Sequence, residues 1–272
     1  MRQTISALCV LSSLVAFTVV ARADQPPHAV PAPAVDNPLT AGKAETATLA
    51  GGCYWGMQEL FEHVKGVKRV VAGFSGAAEA PPDAGGMAGS GSMAGAGGMA
   101  GASGMAGANG MAGASGMAGA SGMAAANGTA ANGTAGSKAA PAEAVQITFD
   151  PGQISYGQIL HIYFSAAHDP TQRDRQTPDV GAEYRSNIFY ADEQQQQIAE
   201  AYIAQLTKAH AYASEIVTLV TPLQQFNRVP EAQQDYYLKH PDLPYIVQVD
   251  GPRMAAFRTL FTDMYVAKPA KH

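Results

Sequence analysis

The sequence has few residues that could cross-link a fold or give it a strong charge. Two cysteines, one tryptophan and 14% charged residues occur among its 272 positions. The formal net charge of -5 at pH 7 gives no reason to expect nucleic acid as a partner. Cys9 lies in an N-terminal leader, so the mature chain would keep Cys53 alone. An internal disulfide is then excluded, and redox chemistry at Cys53 needs a second molecule.

Residues 1–23 have the pattern of an export signal. Arg2 precedes an apolar run over residues 5–21, and the small-x-small sequence Ala-Arg-Ala ends at Ala23. We expect cleavage after Ala23 and a periplasmic or secreted protein. The alternative is an uncleaved membrane anchor, because a run of about 17 residues approaches the roughly 20 that span a bilayer.

Two further segments lack the periodicity of helices and strands. Residues 24–43 are rich in proline and alanine, which predicts a spacer. Residues 84–140 form a low-complexity insertion in which methionine recurs at every sixth position from Met87 to Met123. Glycine, alanine and serine bury too little apolar surface to offset the entropy of ordering, so we expect disorder. Hexapeptide repeats also build parallel β-helices, but those stack bulky aliphatic side chains, and here only methionine is available.

The rest of residues 44–272 is predicted to be one domain that alternates strands and helices. Strand patterns cover residues 46–50, 67–74, 144–149, 186–191 and 215–220. Helix patterns cover residues 53–65, a segment capped by Ser155, residues 192–209 and 230–238, and the C-terminal region. This mixture predicts an α+β fold, a two-layer α/β sandwich with a ferredoxin-like core that the insertion interrupts.

Cys53 lies at the predicted start of a helix, in the sequence GGCYWG. The unpaired amides of a first helical turn and the helix dipole favour the thiolate, which is the nucleophilic form of cysteine. Tyr54 and Trp55 follow directly and could hold a small apolar group beside the sulfur. A buried, inert cysteine among core aromatics explains the same spacing equally well.

Two other segments contain candidate catalytic side chains. Glu143 precedes a strand in small, apolar surroundings, where desolvation would raise its pKa and leave it a proton to donate. A solvated glutamate at a strand edge is the simpler alternative. The polar loop over residues 168–190 has the length of a functional loop. Its candidate residues could suggest a metal site, but their spacing fits no standard pattern, so we expect none. They are His168, Asp169, Asp174, Asp179 and Tyr184.

Four segments follow one another in the order of a known set of motifs. They are GGCYWGMQELFEHVKGVKRVVAGFSG, AEAVQITFDPGQISYGQIL, HDPTQRDRQTPDVGAEYRSNIFY and DYYLKHPDLPYI. Outside the leader and the insertion, the chain resembles the peptide methionine sulfoxide reductases of the A type. The resemblance implies a two-layer α/β sandwich and reduction of the S epimer of methionine sulfoxide, free or in proteins. It implies no cofactor other than an external thiol.

The resemblance also implies a role for each matching residue. Cys53 would attack the sulfoxide sulfur and become a sulfenic acid. Glu143 would protonate the sulfoxide oxygen, and Tyr184 would donate a second hydrogen bond to it. The methyl group would lie against Tyr54 and Trp55.

The sequence departs from the family pattern at several positions. The NPTY and TGH segments are absent, and the repeat occupies their place. One tyrosine donor to the sulfoxide oxygen is therefore missing, which predicts a loss of on the order of 100-fold in rate unless Tyr156 or Tyr190 substitutes. Tyr54 replaces the usual phenylalanine, and Phe74 replaces a tyrosine. Asp179 matches the family and would orient the site.

The partners follow from the single cysteine. Cys53 sulfenic acid would need a thioredoxin-like or glutaredoxin-like protein, or a small thiol, and the protein is expected to be a monomer. The repeat is a surface linker, an oxidant sink whose sulfoxides the same chain reduces, or a Cu(I) ligand. The alternatives for the whole chain are a catalytically impaired reductase fold whose methionine-rich repeat serves as an oxidant sink or a Cu(I)-binding module, and a one-cysteine peroxidase.

Overall fold

The computed structural model describes residues 25–76 and 140–270. The predictions for the leader and for nearly all of the methionine repeat therefore fall on residues that are not described. Within the two described ranges, no helix has the length and apolar character needed to cross a membrane.

A six-stranded sheet forms one layer of the fold. Its order is β7-β6-β1-β3-β2-β8, with β6 and β7 parallel and every other neighbouring pair antiparallel. A separate two-stranded ribbon joins β4 and β5. The strands are β1 Glu45–Ala50, β2 Val67–Ser75, β3 Ala142–Phe149, β4 Arg175–Gln176, β5 Asp179–Val180, β6 Asn187–Tyr190, β7 Leu219–Pro222 and β8 Phe226–Arg228.

Helices form the second layer. They are α1 Tyr54–Glu62, α2 Tyr156–Ile162, α3 Glu193–Lys208, α4 Tyr236–Lys239 and α5 Gly251–Leu260. Two π-helical turns, Tyr163–Ala167 and Ile246–Asp250, continue α2 and lead into α5, and 3-10 turns cover Ala182–Tyr184 and Glu231–Gln233. As predicted, Ser155 caps α2; it forms a capping box with Gln158.

The main core lies between the sheet and the helices. Alternate residues of β3, Val145, Ile147 and Phe149, belong to the same buried cluster as Leu60 and Phe61 of α1. The two-layer α/β sandwich predicted from the sequence is confirmed.

The strand register positions one polar residue on this apolar face. Side chains of a strand alternate between its two faces, so Glu143 shares a face with Val145 and Ile147. Phe74 of β2 lies directly opposite Glu143. The carboxyl group of Glu143 therefore lies on the face that the helices cover.

Short elements account for most differences from the predicted secondary structure. The strand predicted over residues 215–220 begins at Leu219, and the three-residue strand β8 was not predicted. The predicted helix over residues 230–238 is divided at Asp235, whose left-handed backbone (φ 51°) separates a 3-10 turn from α4.

The segment from residue 25 to residue 43 has no regular secondary structure, but it is attached to the fold. The backbone N–H of Gln25 donates to Oδ2 of Asp169 at 2.8 Å, and Tyr202 donates to the carbonyl of Pro31 at 2.7 Å. Asp36 accepts hydrogen bonds from the N–H of Gly157 (2.8 Å) and from the Ser155 hydroxyl. These contacts correct the interpretation of the segment as a mere spacer, because it helps to cap α2.

Candidate active site

Cys53 lies at the N-cap of α1 and is 7% exposed. The two positions before Cys53 must be glycine because neighbouring side chains leave no room for a Cβ atom. A Cβ on Gly51 would lie 2.9 Å from the His168 ring, and one on Gly52 would lie 2.5 Å from Cγ of Gln176. Gly52 also has a φ of +96°, which side chains rarely allow. The polar loop thus packs directly under the turn that presents the thiol.

Burial controls the protonation of this thiol. It raises the pKa of Cys53 well above the usual value, and the negative charges of Glu143 and Asp250 act in the same direction. The backbone N–H of Trp55 lowers the pKa, but its effect is smaller. The amide at the helix start thus acts in the predicted direction, but desolvation outweighs it and keeps the thiol protonated at neutral pH. The sequence pattern includes the amides of the first turn but not the desolvation that outweighs them.

Glu143 is held beside this turn. Its Oε2 accepts a hydrogen bond of 3.0 Å from the backbone N–H of Tyr54, the first residue of α1. Glu143 is 6% exposed, and burial raises its pKa to about 8. The N–H of Tyr54 and the thiol of Cys53 only partly offset that effect. The carboxyl group is thus mostly protonated at neutral pH, in the direction predicted from its apolar surroundings.

Two aromatic side chains form a wall next to the thiol. The Tyr54 ring packs edge-on against Phe74, with centroids 5.9 Å apart and an interplanar angle of 86°. Trp55 stacks on Tyr236 with centroids 4.0 Å apart and meets Tyr245 edge-on at 5.8 Å. The indole N–H of Trp55 donates to the side chain of Gln233 at 3.2 Å.

Asp179 and Tyr184 complete the set of predicted residues. The Tyr245 hydroxyl donates to Oδ2 of Asp179, so Asp179 is linked through Tyr245 to the Trp55 wall. Burial raises the pKa of Asp179, against the effects of Tyr245 and Arg253. Burial also raises the pKa of the Tyr184 phenol. The negative charges of Glu143, Asp179 and Cys53 raise it further.

His168 and Asp169 stabilise the polar loop that packs against the turn before Cys53. Burial lowers the pKa of His168 to about 3, so its ring is neutral. The ring is hydrogen bonded to the Tyr163 carbonyl (3.1 Å) and the Ser186 hydroxyl (2.7 Å). The backbone of Asp169 exchanges two hydrogen bonds of 3.0 Å with the Gln176 amide. These residues hold the loop together, whereas Asp174 lies at an exposed turn with φ 49°.

Asp250 is a site residue that the sequence did not reveal. Its carboxyl is 1% exposed and unpaired by hydrogen bonds among the described residues, and burial raises its pKa to about 7. It faces Gly56 of α1, where a Cβ would lie 2.3 Å from Oδ1. Arg253 lies 4.0 Å away. The only sequence signal was an acidic residue in the apolar stretch IVQVDG.

Neither tyrosine proposed as a substitute donor lies at the site. Tyr156 borders a cavity with Glu45 and Phe149, at the opposite end of β3 from Glu143. Six residues of strand, about 20 Å, separate those two ends. Tyr190 ends β6 beyond Phe189, which pairs with Thr48 of β1 and so lies further from Cys53 than Asn187 does. In the described part of the chain, no group of three histidine, cysteine or acidic side chains is arranged to hold a metal ion.

Comparison with known proteins identifies the relatives of the chain. The family model for peptide methionine sulfoxide reductase matches residues 45–88 and 114–264. A peptide methionine sulfoxide reductase MsrA 2 of Mesorhizobium japonicum is 37% identical over 83% of this chain and 92% of its own length. One of the same name from Synechocystis is 34% identical over 88% and 91%. Methionine sulfoxide reductase A of Corynebacterium diphtheriae has a TM-score of 0.43 at 25% identity, covering 79% of this chain and 88% of its own.

The family model and the two curated relatives define the class of protein. The chain belongs to the peptide methionine sulfoxide reductase family, a family of oxidoreductases that act on sulfur.

Proposed function

We propose that the protein reduces the S epimer of methionine sulfoxide with Cys53 as the nucleophile. The single observation that carries this role is the buried pair of Cys53 and Glu143. A thiol and a carboxyl with a pKa of about 8 lie at the same helix start, and the Tyr54 N–H fixes the carboxyl. Free or protein-bound substrate would present its sulfoxide to both groups.

The pair accounts for the protons of the reaction. Glu143 donates its proton to the sulfoxide oxygen while the sulfur of Cys53 bonds to the sulfoxide sulfur, and the resulting carboxylate accepts the thiol proton. The protonated oxygen then moves to Cys53, and methionine leaves. Cys53 is oxidised by two electrons to the sulfenic acid, and methionine sulfoxide is reduced by two. Proton exchange within the pair explains how a buried thiol with a raised pKa can react.

The surrounding side chains orient the substrate. Tyr184 donates a hydrogen bond to the sulfoxide oxygen, in the manner of an oxyanion hole. The rings of Tyr54 and Trp55 hold the methyl group. Asp179 holds Tyr245 against Trp55 and so fixes that wall.

An external thiol completes the cycle. Cys53 is the one cysteine in the described ranges, and the other, Cys9, belongs to the leader. A first thiol forms a mixed disulfide with Cys53 and releases water, and a second thiol restores Cys53. Thioredoxin-like or glutaredoxin-like proteins and small thiols have this chemistry. We also propose, from the leader, that the monomeric protein works after export, in protein repair under oxidative stress.

A titration without reductant tests the function. The purified mature protein receives one equivalent of the S epimer of N-acetyl-methionine sulfoxide, and free thiol is measured. We expect loss of one thiol per chain and release of one thioether, and no release from Cys53→Ser. If hydrogen peroxide oxidised Cys53 much faster than the sulfoxide did, the protein would be a peroxidase instead.

A second function is favoured by where the methionine repeat joins the fold. Gly76, the last described residue before it, is two positions beyond Phe74, and Ala140, the last residue of the insertion and the first one described again, is three positions before Glu143. Arg185 donates to the Ala140 carbonyl at 2.7 Å and lies next to Gly76. Gly76 and Ala140, the described residues on either side of the undescribed segment, therefore both lie at the edge that carries Glu143.

We infer that sulfoxides of the repeat are substrates of their own chain. Met87 follows Gly76 by eleven positions. A fully extended chain of that length reaches at most about 40 Å. Tethered groups commonly reach about millimolar effective concentrations. Exposed thioethers would consume oxidants, and Cys53 would restore them at the expense of an external thiol.

Dilution separates repair within a chain from repair between chains. The mature protein is oxidised and treated with dithiothreitol, and repeat sulfoxides are followed by mass spectrometry at several protein concentrations. We expect a rate independent of concentration, with one sulfoxide epimer remaining. Oxidised Cys53→Ser mixed with the wild type gives the rate between chains. If both rates rose alike with concentration while N-acetyl-methionine sulfoxide was still reduced, only this second function would fail.

A further inference from the structure

Tyr54 carries a hydroxyl group with no assigned role. Its side chain is 5% exposed, and its hydroxyl has no hydrogen-bond partner among the described residues. The hydroxyl oxygen is not one of the fully buried, unpartnered polar atoms of the described residues, so it is open to solvent and free to donate to a bound ligand. The apolar ring alone would form the wall for a methyl group, so the hydroxyl needs a separate explanation.

Two contacts fix this side chain next to Glu143. The backbone N–H of Tyr54 donates to Oε2 of Glu143 at 3.0 Å. The Tyr54 ring packs edge-on against Phe74, which lies directly opposite Glu143 across the β2–β3 pair. Directly opposed residues of antiparallel strands have Cβ atoms about 4.5–5.5 Å apart. Tyr54 is therefore fixed to Glu143 by its backbone and to Phe74, the strand partner of Glu143, by its ring.

The electrostatics of the phenol agree with this position. Burial raises the pKa of Tyr54, and the charges of Glu143 and Cys53 raise it further, followed by that of Tyr184. The hydroxyl thus remains protonated and can donate a hydrogen bond at any pH at which the enzyme works. Phe74, its neighbour on the sheet, has no such group to offer.

We propose that the hydroxyl of Tyr54 is a hydrogen-bond donor to the sulfoxide oxygen, so that Tyr54 is a catalytic residue as well as part of the methyl-binding wall. This role rests on the proposed function. Tyr54 and Tyr184 then supply two phenol donors beside the acid Glu143. The hydroxyl compensates for the tyrosine of the missing NPTY segment, which neither Tyr156 nor Tyr190 can replace.

The test compares Tyr54→Phe with Tyr156→Phe in the mature protein. Tyr54→Phe keeps the ring, so we expect kcat for N-acetyl-methionine sulfoxide to fall on the order of 10- to 100-fold with KM little changed. The Tyr156 hydroxyl is buried and without a hydrogen-bond partner among the described residues, and it lies at the far end of β3, so Tyr156→Phe should retain full activity. Thermal unfolding checks that both variants fold.

Alkylation of Cys53 by iodoacetamide distinguishes the oxygen donor from an effect on the thiol, because this reaction forms no oxyanion. We expect the alkylation rate of Tyr54→Phe to stay within about twofold of the wild-type rate. Equal losses in alkylation and sulfoxide reduction would show that Tyr54 acts through Cys53 and would overturn the proposal. An unchanged kcat would overturn it too. In that case loss of activity in Cys53→Ser would leave the proposed function intact.

Discussion

The backbone N–H of Tyr54 and Oε2 of Glu143 are joined by a 3.0 Å hydrogen bond between the first residue of α1 and the second residue of β3. This bond fixes the acid next to Cys53, although 89 positions separate Tyr54 from Glu143 in the chain. It lowers the pKa of Glu143, yet burial dominates and keeps that pKa at about 8.

Glu143→Gln should remove the acid while it keeps the shape of the side chain. We expect kcat/KM to fall by about 10² to 10⁴ at pH 7. The wild-type rate should decrease as the pH rises through about 8, because the folded-state pKa of Glu143 is raised to that value and the acid loses its proton there. Rate measurements between pH 6 and 9.5 check this, with the exposed Glu193→Gln as control. A descending limb near pH 8 that persisted in Glu143→Gln would assign it to another group.

Glu62 lies away from the reacting groups and should make the free energy of unfolding depend on pH. Burial raises its pKa from 4.5 to about 9, and the charges of Asp235 and Glu59 add to that. The folded protein then holds a proton that the unfolded chain releases above about pH 4.5, so the free energy of unfolding falls as pH rises from about 4.5 to 9.

Glu62→Gln should flatten this pH dependence and leave sulfoxide reduction at wild-type rates. Urea unfolding at pH 5, 7 and 9 gives the slope. Glu59 and His63, which pair at 3.1 Å, and the raised carboxyl groups of Glu143 and Asp250 remain in the variant. The slope should therefore be reduced and not abolished. An unchanged slope would mean that Glu62 is ionised in the folded protein.

Asp250→Asn should make Cys53 more reactive. The pKa of Asp250 is about 7, so its carboxyl is negative at pH 8 and raises the pKa of the thiol. Without that charge the thiolate fraction grows, and we expect alkylation by iodoacetamide at pH 8 to be several-fold faster. Asp263→Asn, at an exposed position, serves as the control. Equal or slower alkylation in Asp250→Asn would show that the negative charge of Asp250 does not hold back the reactivity of Cys53.

Gly52→Ala should disturb the turn that presents Cys53. The backbone there has a φ of +96°, and the new methyl group would lie 2.5 Å from the Gln176 side chain. Such strain costs about 1–3 kcal/mol. Differential scanning calorimetry should show a lower Tm, and kcat should fall with it. Gly152→Ala, an exposed glycine with no positive φ, is the matched control. Equal Tm values for the two variants would contradict this prediction.

The sequence predicted those parts of the molecule that local patterns encode. The helix start at Cys53, the strand next to Glu143 and the cap at Ser155 were each predicted correctly from local patterns. Tyr245 and Asp250 could not be found in this way, because their contacts with Asp179 and Gly56 join segments far apart in the chain.

The raised pKa of Cys53 was missed for a similar reason. The amides of a helix start are visible in a local pattern, but the desolvation of the thiol depends on everything that packs around it. The contacts of residues 25–43 were also hidden, since single side chains such as Asp36 make them without any periodicity.

Arg185 donates two hydrogen bonds at the edge of the candidate site. One donates to Ala140, where the repeat ends, and the other to Ala182, in the turn that carries Tyr184, each at 2.7 Å. The edge of the reaction centre is thus fixed by residues outside the GMAGAS units. Doubling the length of a loop costs only about 0.6 kcal/mol in closure entropy. A repeat with more or fewer GMAGAS units would therefore change the number of methionines per molecule at little cost in the free energy of folding.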